Sequence, residues 1–417
     1  MNCLCPAEPV PFLRRGIALN FPGRSESRQT GLLFSAGLTS ISPVCEASQS
    51  SEAADALRFY GSTPRKGTFL MPQDKQTNRR IVLASRPHGA PTEANFRLES
   101  QHVPAPGKGE ILLRTVWLSL DPYMRGRMSD APSYVPPIAV NDVMGAGTVA
   151  IVEQSNHDDY APGDWVVSQS GWQDFALSDG KDLFKLTGPV LKHPSWALGM
   201  LGMTGFTAYM GLLDIGNPQP GETVVVAAAT GAVGSLVGQI AKLKGCYVVG
   251  IAGGEEKCRY AEDVLGFDRC LDHRSPELAE ALKRHCRDGI DVYFESVGGK
   301  VFNAVLPLMN TKGRIPVCGL IADYNRTEAS SGPDLLPQFQ SAILRKRLRV
   351  QGFIITQDYG HRFGEFFSQM SQWVEQDRFV FREDVIEGLD NAPETFIGML
   401  EGKNFGKVLI QVAGDKP

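Results

Sequence analysis

The chain has 417 residues, of which 42% are hydrophobic, and it carries a formal net charge of −4. This length can bury two hydrophobic cores, and a slightly acidic balance without a basic stripe argues against a nucleic-acid-binding protein. No apolar run reaches the roughly 18 residues of a transmembrane helix, so no membrane association is expected. The eight cysteines are scattered, without the spacing of a zinc lobe. Such cysteines are typical of free thiols in a reducing compartment, and we expect a cytoplasmic protein.

Residues 1–70 differ in composition from the rest of the chain. They are rich in Ser, Pro and Gly and lack a sustained hydrophobic period. The early arginines are weakly similar to a transit peptide, but no apolar region follows a basic start, so a secretory signal is not predicted. We expect a disordered extension upstream of an internal start at Met71, without a part in the chemistry.

From residue 79 to about residue 192, the chain predicts a β-barrel. Short apolar runs indicate strands, and Pro- and Gly-containing turns at 104–107 and 161–164 separate them. Several short strands at this spacing are typical of an all-β domain. The predicted strands span 80–83, 110–118, 147–153, 165–168 and 172–176.

From about residue 198 to residue 348, strand and helix patterns alternate. This alternation predicts a parallel sheet with helices on both faces. The predicted strands span 223–228, 247–252, 291–295 and 313–318, with a short one near Cys270, and the predicted helices include 199–213, 256–265 and 300–308. The tail carries an amphipathic helix over 363–376 and a closing strand over 406–412, which we expect to return to the first domain.

The most informative stretch is the turn after the strand at 223–228. The β-branched run ends in AATGAVGS at 228–235, and a helical pattern follows. A strand, a glycine-bearing turn and a helix aim backbone N–H groups and a positive helix end at a pyrophosphate. Gly231 would allow close approach, and Gly234 would let the helix pack on the strand. Ala229 replaces the first glycine of the usual fingerprint, so a turn built for packing alone is the alternative.

The end of the next strand bears on the choice between NAD and NADP. Residues 252–254 are small, and Lys257 follows them. Small residues leave room for a 2′-phosphate that Lys257 can neutralise, which favours NADP. Glu255 is the counter-argument, because a carboxylate at this position could bind the 2′-hydroxyl of NAD. A solvated first turn of the following helix is the third interpretation.

Six motifs in chain order carry a family resemblance. They are LSLDPYMRGRM at 118–128, VMGAG at 143–147, GMTGFTAY at 202–209, AATGAVGS at 228–235, FESVGG at 294–299 and YNRT at 324–327. Together they resemble the zinc-independent prostaglandin reductase and alkenal double-bond reductase group of the medium-chain dehydrogenases/reductases. Within that group the chain is most similar to the bacterial NADPH-dependent curcumin reductase type.

The resemblance implies an α/β fold with two domains. A GroES-like β-barrel catalytic domain is expected over 71–198, and a Rossmann NADP-binding domain with a doubly wound parallel sheet over 199–349. Residues 350–417 are expected to return to the catalytic domain. We also expect a homodimer formed through the edge strands of the Rossmann sheet.

A catalytic zinc is not predicted. It would need a Cys early in the barrel and a His-Glu pair after the next strands, where the chain has Asp121 and the Gly-Ala-Gly of 145–147. Without a Lewis acid, no group is available to stabilise an alkoxide, so alcohol dehydrogenation is not expected. Hydride addition to a conjugated alkene does not need that metal, because the neighbouring carbonyl accepts the charge.

The resemblance implies NADPH-dependent reduction of the C=C bond of α,β-unsaturated ketones or aldehydes. Hydride would add at the β-carbon and a proton at the α-carbon, and hydrogen-bond donors must stabilise the enolate between these steps. Tyr324 is implied as catalytic donor or proton relay, and Tyr123 as a second catalytic tyrosine on the barrel side of the cleft. Neutral phenols suit both roles, and a buried ring with a satisfied hydroxyl is the alternative for each.

The resemblance also implies which residues bind the cofactor. Lys257 is expected to meet the 2′-phosphate, and His273 stands where the family has a tyrosine that helps hold it. A solvated loop residue is the alternative for His273. The remaining set is Met203, Thr204, Cys318, Gly319 and Tyr324 beside the nicotinamide, Phe353, Ile354 and Ile355 at its carboxamide, Thr230, Gly231, Ala232, Val233 and Gly234 at the pyrophosphate, and Gly253 and Asn404 at the phosphate end.

Two other functions fit the same residues. A quinone reductase of the same superfamily would use this cofactor site without Tyr324 as a relay. A non-catalytic NADPH-binding protein would keep the site without turnover. The expected partner in the main interpretation is a small-molecule enone or enal.

Overall fold

Three sheets and their flanking helices make up residues 77–328 and 333–414, the part of the chain that the computed structural model describes. The extension expected over 1–70 lies outside these residues. The strands are β1 (Thr77–Leu83), β2 (Phe96–His102), β3 (Ile111–Ser119), β4 (Thr148–Ser155), β5 (Trp165–Ser168), β6 (Phe175–Ser178), β7 (Phe184–Lys185), β8 (Thr223–Ala227), β9 (Tyr247–Ala252), β10 (Arg269–Asp272), β11 (Ile290–Phe294), β12 (Met309–Val317), β13 (Arg349–Gly352), β14 (Glu383–Glu387) and β15 (Lys407–Gln411). The helices are α1 (Met124–Arg127), α2 (Met203–Met210), α3 (Gly234–Leu243), α4 (Glu255–Asp263), α5 (Leu278–His285), α6 (Gly299–Val305), α7 (Leu336–Lys346), α8 (Ile355–Tyr359), α9 (Phe363–Glu375) and α10 (Ala392–Leu400).

A seven-stranded, mainly antiparallel sheet forms from strands near both ends of the described chain. Its order is β14-β15-β3-β4-β5-β7, with β6 also paired to β3, and β1 and β2 form a separate antiparallel pair. The core beside these strands contains Phe96 stacked on Trp172 with ring centroids 5.6 Å apart, and Phe396 of α10 meets both rings edge-on. Residues that follow the parallel sheet in sequence therefore complete this core.

A six-stranded parallel sheet forms the other half, in the order β10-β9-β8-β11-β12-β13. Counted from β8, this is the order 3-2-1-4-5-6 of a doubly wound dinucleotide-binding sheet, which confirms the predicted parallel sheet. Every residue of β8 is buried. Its valine run predicts this position, since a central strand of such a sheet is covered on both faces. Ligands of these sheets bind at the carboxyl ends of the strands, where the strand order reverses.

Some predicted elements differ from those observed. The predicted helix over 199–213 is an α-helix only in α2, and it continues as a π-helical turn over Gly211–Gly216. A Cβ on Gly211 would lie 2.6 Å from the Phe353 ring and 2.8 Å from the Phe294 ring, so the chain passes too close to the sheet for any side chain there. Strands β13 and β14 are not predicted, because RVQG and EDVIE lack an apolar run. Their pairing with β12 and β15 makes them strands.

Among the described residues, no helix combines the length and the apolar character that a membrane crossing requires.

Candidate active site

A cavity of about 820 Å³ lies between the carboxyl ends of the parallel strands and the barrel-side segments near Tyr123 and Asn404. Its volume lies within the range of cofactor and ligand sites in proteins. Every residue that the sequence analysis assigns to catalysis or to cofactor binding lies on the wall of this cavity. The structure therefore brings together residues that are up to 281 positions apart in the chain, from Tyr123 to Asn404.

The turn between β8 and α3 forms one wall. Ala228 has a left-handed backbone with φ 49°, and its carbonyl oxygen accepts a hydrogen bond from Gly231 N at 2.9 Å. A Cβ on Gly234 would lie 2.3 Å from Ala228 O, so only glycine lets α3 begin this close to the strand. The start of α3, at Val233 and Gly234, lies on the cavity wall, where the helix dipole and N–H groups favour an anionic pyrophosphate.

Three nitrogen-bearing side chains gather at the ends of β9 and β10. Nε2 of His273 and Nη2 of Arg274 would lie 2.9 and 3.3 Å from a Cβ on Gly253, so both pack directly over this glycine. Nζ of Lys257 donates to Gly402 O at 2.8 Å. Burial and the neighbouring Arg274 charge lower the pKa of Lys257, and burial lowers the pKa of His273. This half-buried, positive pocket fits a phosphate, whose charge would relieve the repulsion.

The carboxylates near this pocket are already engaged. The side chain of Glu255 is 85% exposed and pairs with Arg259 at 3.6 Å, away from the cavity wall. Oδ1 of Asp272 accepts hydrogen bonds from Gly254 N at 3.0 Å and Arg274 N at 2.9 Å. Neither Glu255 nor Asp272 is therefore placed to bind the 2′-hydroxyl of NAD.

The opposite end of the cavity holds the residues expected beside the nicotinamide. Thr204 is buried, and its hydroxyl donates to Gly199 O at 3.0 Å. Burial raises the pKa of the Cys318 thiol to about 12, so this thiol is protonated at neutral pH and is a poor nucleophile. The Ile354 N–H donates to Asp358 Oδ2 at 2.7 Å. This backbone donor is therefore not free to bind the nicotinamide carboxamide.

Three tyrosines line the same end. Tyr123 precedes α1, Tyr324 follows a 3₁₀ turn after β12, and Tyr134 lies in an irregular segment. Burial raises the pKa of all three, and the Asp121 carboxylate raises that of Tyr123 further. The phenols therefore stay protonated at neutral pH and can donate hydrogen bonds. The Tyr324 oxygen accepts the Leu320 N–H at 3.4 Å, a contact that does not use the phenolic proton.

A buried charged network closes the floor of the cavity. Nζ of Lys407 donates to Asp121 Oδ1 at 2.7 Å, to Ser119 Oγ at 2.6 Å and to Leu120 O at 3.1 Å. Ser119 also donates to Asp121, and Lys407 is only 1% exposed. All three ammonium protons have acceptors, as a buried charge requires.

The cavity also contains residues that the sequence analysis missed. Arg274 follows His273 at the end of β10. Because β10 pairs with β9 in a parallel sheet, the sequence could have placed Arg274 beside the end of β9. Tyr134 and Arg127 line the tyrosine end. Tyr134 lies outside any regular element, so no periodicity marks it. Arg127 belongs to the motif at 118–128, whose tyrosine alone was assigned a role.

Metal-binding chemistry has no suitable donor set in the described part of the chain. Within residues 77–328 and 333–414, no group of three or more His, Cys, Asp and Glu side chains is placed to hold a metal ion. Asp121, which stands where a zinc ligand would be required, is bound by Lys407 instead.

Two known protein families match parts of this chain. "N-terminal domain of oxidoreductase" matches residues 79–186, and "Zinc-binding dehydrogenase" matches residues 232–376. The first match covers most of the antiparallel strands and the second covers the parallel sheet from α3 onward, while β8, β14 and β15 lie outside both. The second description names zinc, but the described residues contain no group of side chains placed to bind it.

Individual relatives are similar over nearly their whole length. The NADPH-dependent curcumin reductase of Escherichia coli (strain K12) is 64% identical over 83% of this chain and 100% of its own, and prostaglandin reductase 1 of Rattus norvegicus is 41% identical over 78% and 95%. The crystal structure of CurA in complex with NADPH from Vibrio vulnificus is 59% identical, covers 81% of this chain and 99% of its own, and has a TM-score of 0.79. The phosphate turn and the cationic pocket fit the same cofactor, NADPH. This chain belongs to the medium-chain dehydrogenase/reductase superfamily, with a GroES-like domain and a Rossmann domain, and within it to the curcumin and prostaglandin reductase family.

Proposed function

We propose that this protein is an NADPH-dependent reductase of the C=C bond of α,β-unsaturated ketones and aldehydes. One observation carries the proposal: the protonated phenols of Tyr324 and Tyr123 share a cavity with a cationic pocket suited to a 2′-phosphate. A phosphate pocket alone would serve any NADPH-binding protein. The phenols add hydrogen-bond donors where the substrate carbonyl must be held. The names of the relatives, curcumin reductase and prostaglandin reductase, support this class of reaction.

Tyr324 and Tyr123 have separate roles in the proposed reaction. NADPH, when bound, supplies the hydride that reduces the β-carbon. Negative charge then develops on the carbonyl oxygen of the enone, and a neutral donor placed beforehand stabilises it. We assign this role to Tyr324, as donor or as relay of the proton to the α-carbon. Tyr123 holds the substrate from the barrel side, and the surrounding apolar wall excludes water.

Cofactor binding is assigned to three groups on the cavity wall. Lys257, Arg274 and His273 would hold the 2′-phosphate, and the turn over 230–234 with the first turn of α3 would hold the pyrophosphate. The nicotinamide would lie among Met203, Thr204, Cys318, Gly319, Tyr324, Phe353, Ile354 and Ile355. Asn404 donates to Gly406 O at 3.0 Å and adds an amide to the phosphate end.

Turnover of an enone against a quinone tests this proposal. NADPH consumption, followed by its near-ultraviolet absorbance, is expected with an alkyl enone and not with benzoquinone alone. Product analysis should show the saturated ketone. Consumption with benzoquinone alone would favour the quinone reductase, and tight NADPH binding without turnover of either compound would favour the binding protein.

We also propose that the reaction is independent of zinc. The Asp121–Lys407 pair supports this, because a carboxylate held by an ammonium group is not available as a metal ligand. Prolonged dialysis against EDTA is expected to leave kcat unchanged, and added Zn²⁺ is expected not to raise it. Loss of activity that zinc restores would contradict this proposal.

The remaining features of the proposal concern assembly and location. The domain boundaries 71–198, 199–349 and 350–417 are supported by the pairing of β15 with β3, and of β14 with β15, which returns the last segment to the barrel sheet. A homodimer through the outer strand β13 is supported by its pairing, within the described residues, on one side only, with β12, and by the 78% exposure of Leu344 on the neighbouring α7. Sedimentation of the full chain tests the dimer, and cell fractionation tests the cytoplasmic location.

A further inference from the structure

Arg125 is a buried arginine that joins two distant parts of the chain. It lies in α1, two residues after Tyr123, and is only 6% exposed. Its Nε donates to Asn325 Oδ1 at 3.0 Å, and its Nη2 donates to Gly89 O at 2.7 Å. The bond to Asn325 spans 200 residues of sequence and runs from the barrel side to the loop that follows β12.

The chemistry of this contact is unusual for a buried guanidinium. Both acceptors are neutral amide oxygens, and burial lowers the pKa of Arg125. Neutral acceptors offset less of the desolvation cost of a buried cation than a carboxylate would. The desolvation cost therefore offsets part of what these hydrogen bonds contribute to stability, and the position that they give to the Asn325 loop is the better explanation of the contact.

The geometry concerns the loop that carries Tyr324. Asn325 is the next residue after Tyr324, and a 3₁₀ turn over Ile321–Asp323 precedes both. A Cβ on Gly89 would lie 3.9 Å from Asn325 O and 3.8 Å from Thr327, so the Gly89 loop also packs against this segment. A loop without strand or helix partners depends on such contacts for its position.

We propose that Arg125 is a positioning residue that sets Tyr324 relative to Tyr123. The guanidinium is fixed two residues from one phenol and is hydrogen-bonded to the neighbour of the other. Arg125 thereby fixes the positions of Tyr123 and Tyr324 relative to each other across the cleft. The proposal rests on the catalytic role given to Tyr324 above. Because misplacing a reacting group by about 1 Å can cost on the order of 100-fold in rate, loss of the contact should lower kcat.

A double-mutant cycle with Tyr324 tests the proposal. Arg125→Gln and Asn325→Ala are each expected to lower kcat about 10- to 100-fold, with the Kd for NADPH unchanged. In the Tyr324→Phe background, Arg125→Gln should lower kcat no further, because its effect passes through Tyr324. Asn325→Asp keeps an acceptor for Arg125 and should retain activity. Losses that multiply in the double variant, or an unchanged kcat in both single variants, would overturn the proposal.

A second readout does not depend on catalysis. Hydrogen–deuterium exchange of the 319–328 segment should rise in Arg125→Gln and in Asn325→Ala. The matched control is Arg86→Gln, because Arg86 also donates to the end of α1, at Met128 O (3.1 Å), and its ion pair is with Asp130 rather than with the Tyr324 loop. If the wild-type protein fails to reduce any enone, the proposed function is wrong, and exchange alone then decides whether Arg125 holds the loop. Unchanged exchange in both variants refutes the inference.

Discussion

Replacing Tyr324 by Phe should lower kcat for enone reduction about 100-fold, because it removes one donor to the developing oxyanion and nothing else of comparable size. The ring and its packing remain, so the KM for NADPH should change little. Burial raises the pKa of this phenol, so the wild-type rate should show no loss from its ionisation around neutral pH. Steady-state and single-turnover kinetics with an alkyl enone measure the effect.

Tyr134→Phe provides a control from the same wall of the cavity. It removes a neighbouring phenol to which we assign no catalytic role, and kcat should fall much less than in Tyr324→Phe. An equal fall in the two variants, or an unchanged kcat in Tyr324→Phe, would remove Tyr324 from the mechanism and would favour the quinone reductase interpretation.

The Lys257→Ala variant should raise the KM for NADPH about 10- to 100-fold, while the KM for NADH stays nearly unchanged. A charge-assisted hydrogen bond to a phosphate contributes about 1.5–3 kcal/mol, and only NADPH carries the 2′-phosphate. The neighbouring Arg274 retains part of the positive charge, so Lys257→Ala/Arg274→Ala should lower the preference for NADPH further. Initial rates with both cofactors at a fixed enone concentration measure the preference.

Arg259→Ala is the matched control for this pair of variants. Arg259 lies in the same helix as Lys257, but it pairs with the exposed Glu255 and lies off the cavity wall. Its loss should leave the preference for NADPH intact. A preference that is unchanged in Lys257→Ala would show that this lysine does not bind the 2′-phosphate.

The fold and the phosphate end of the site were the parts most open to prediction from sequence. The valines of β8, the glycines of the following turn and the alternating strands and helices are local signals, and together they define a doubly wound sheet. Such a sheet places the ends of β8, β9 and β10 side by side. The small residues at the end of β9 point to Lys257 directly, whereas the family resemblance is needed to add His273 to the same pocket.

The barrel side of the site was less open to prediction. Lys407 and Asp121 meet only because β15 pairs with β3, and Arg125 meets Asn325 across a cleft. No local pattern in a single sequence reports such long-range pairs. Tyr134 sits in a segment without regular structure, where side-chain periodicity carries no information.

The bond between Lys407 and Asp121 spans 286 residues and has a consequence for biosynthesis. During translation, Asp121 leaves the ribosome long before Lys407, which neutralises its charge, has been synthesised. The parallel sheet, made in between, can fold first, whereas the half that contains Asp121 must wait for β15. Leaving a buried ion without its partner costs about 3–5 kcal/mol. Truncation before Lys407 should therefore yield an aggregating polypeptide with an intact nucleotide-binding half.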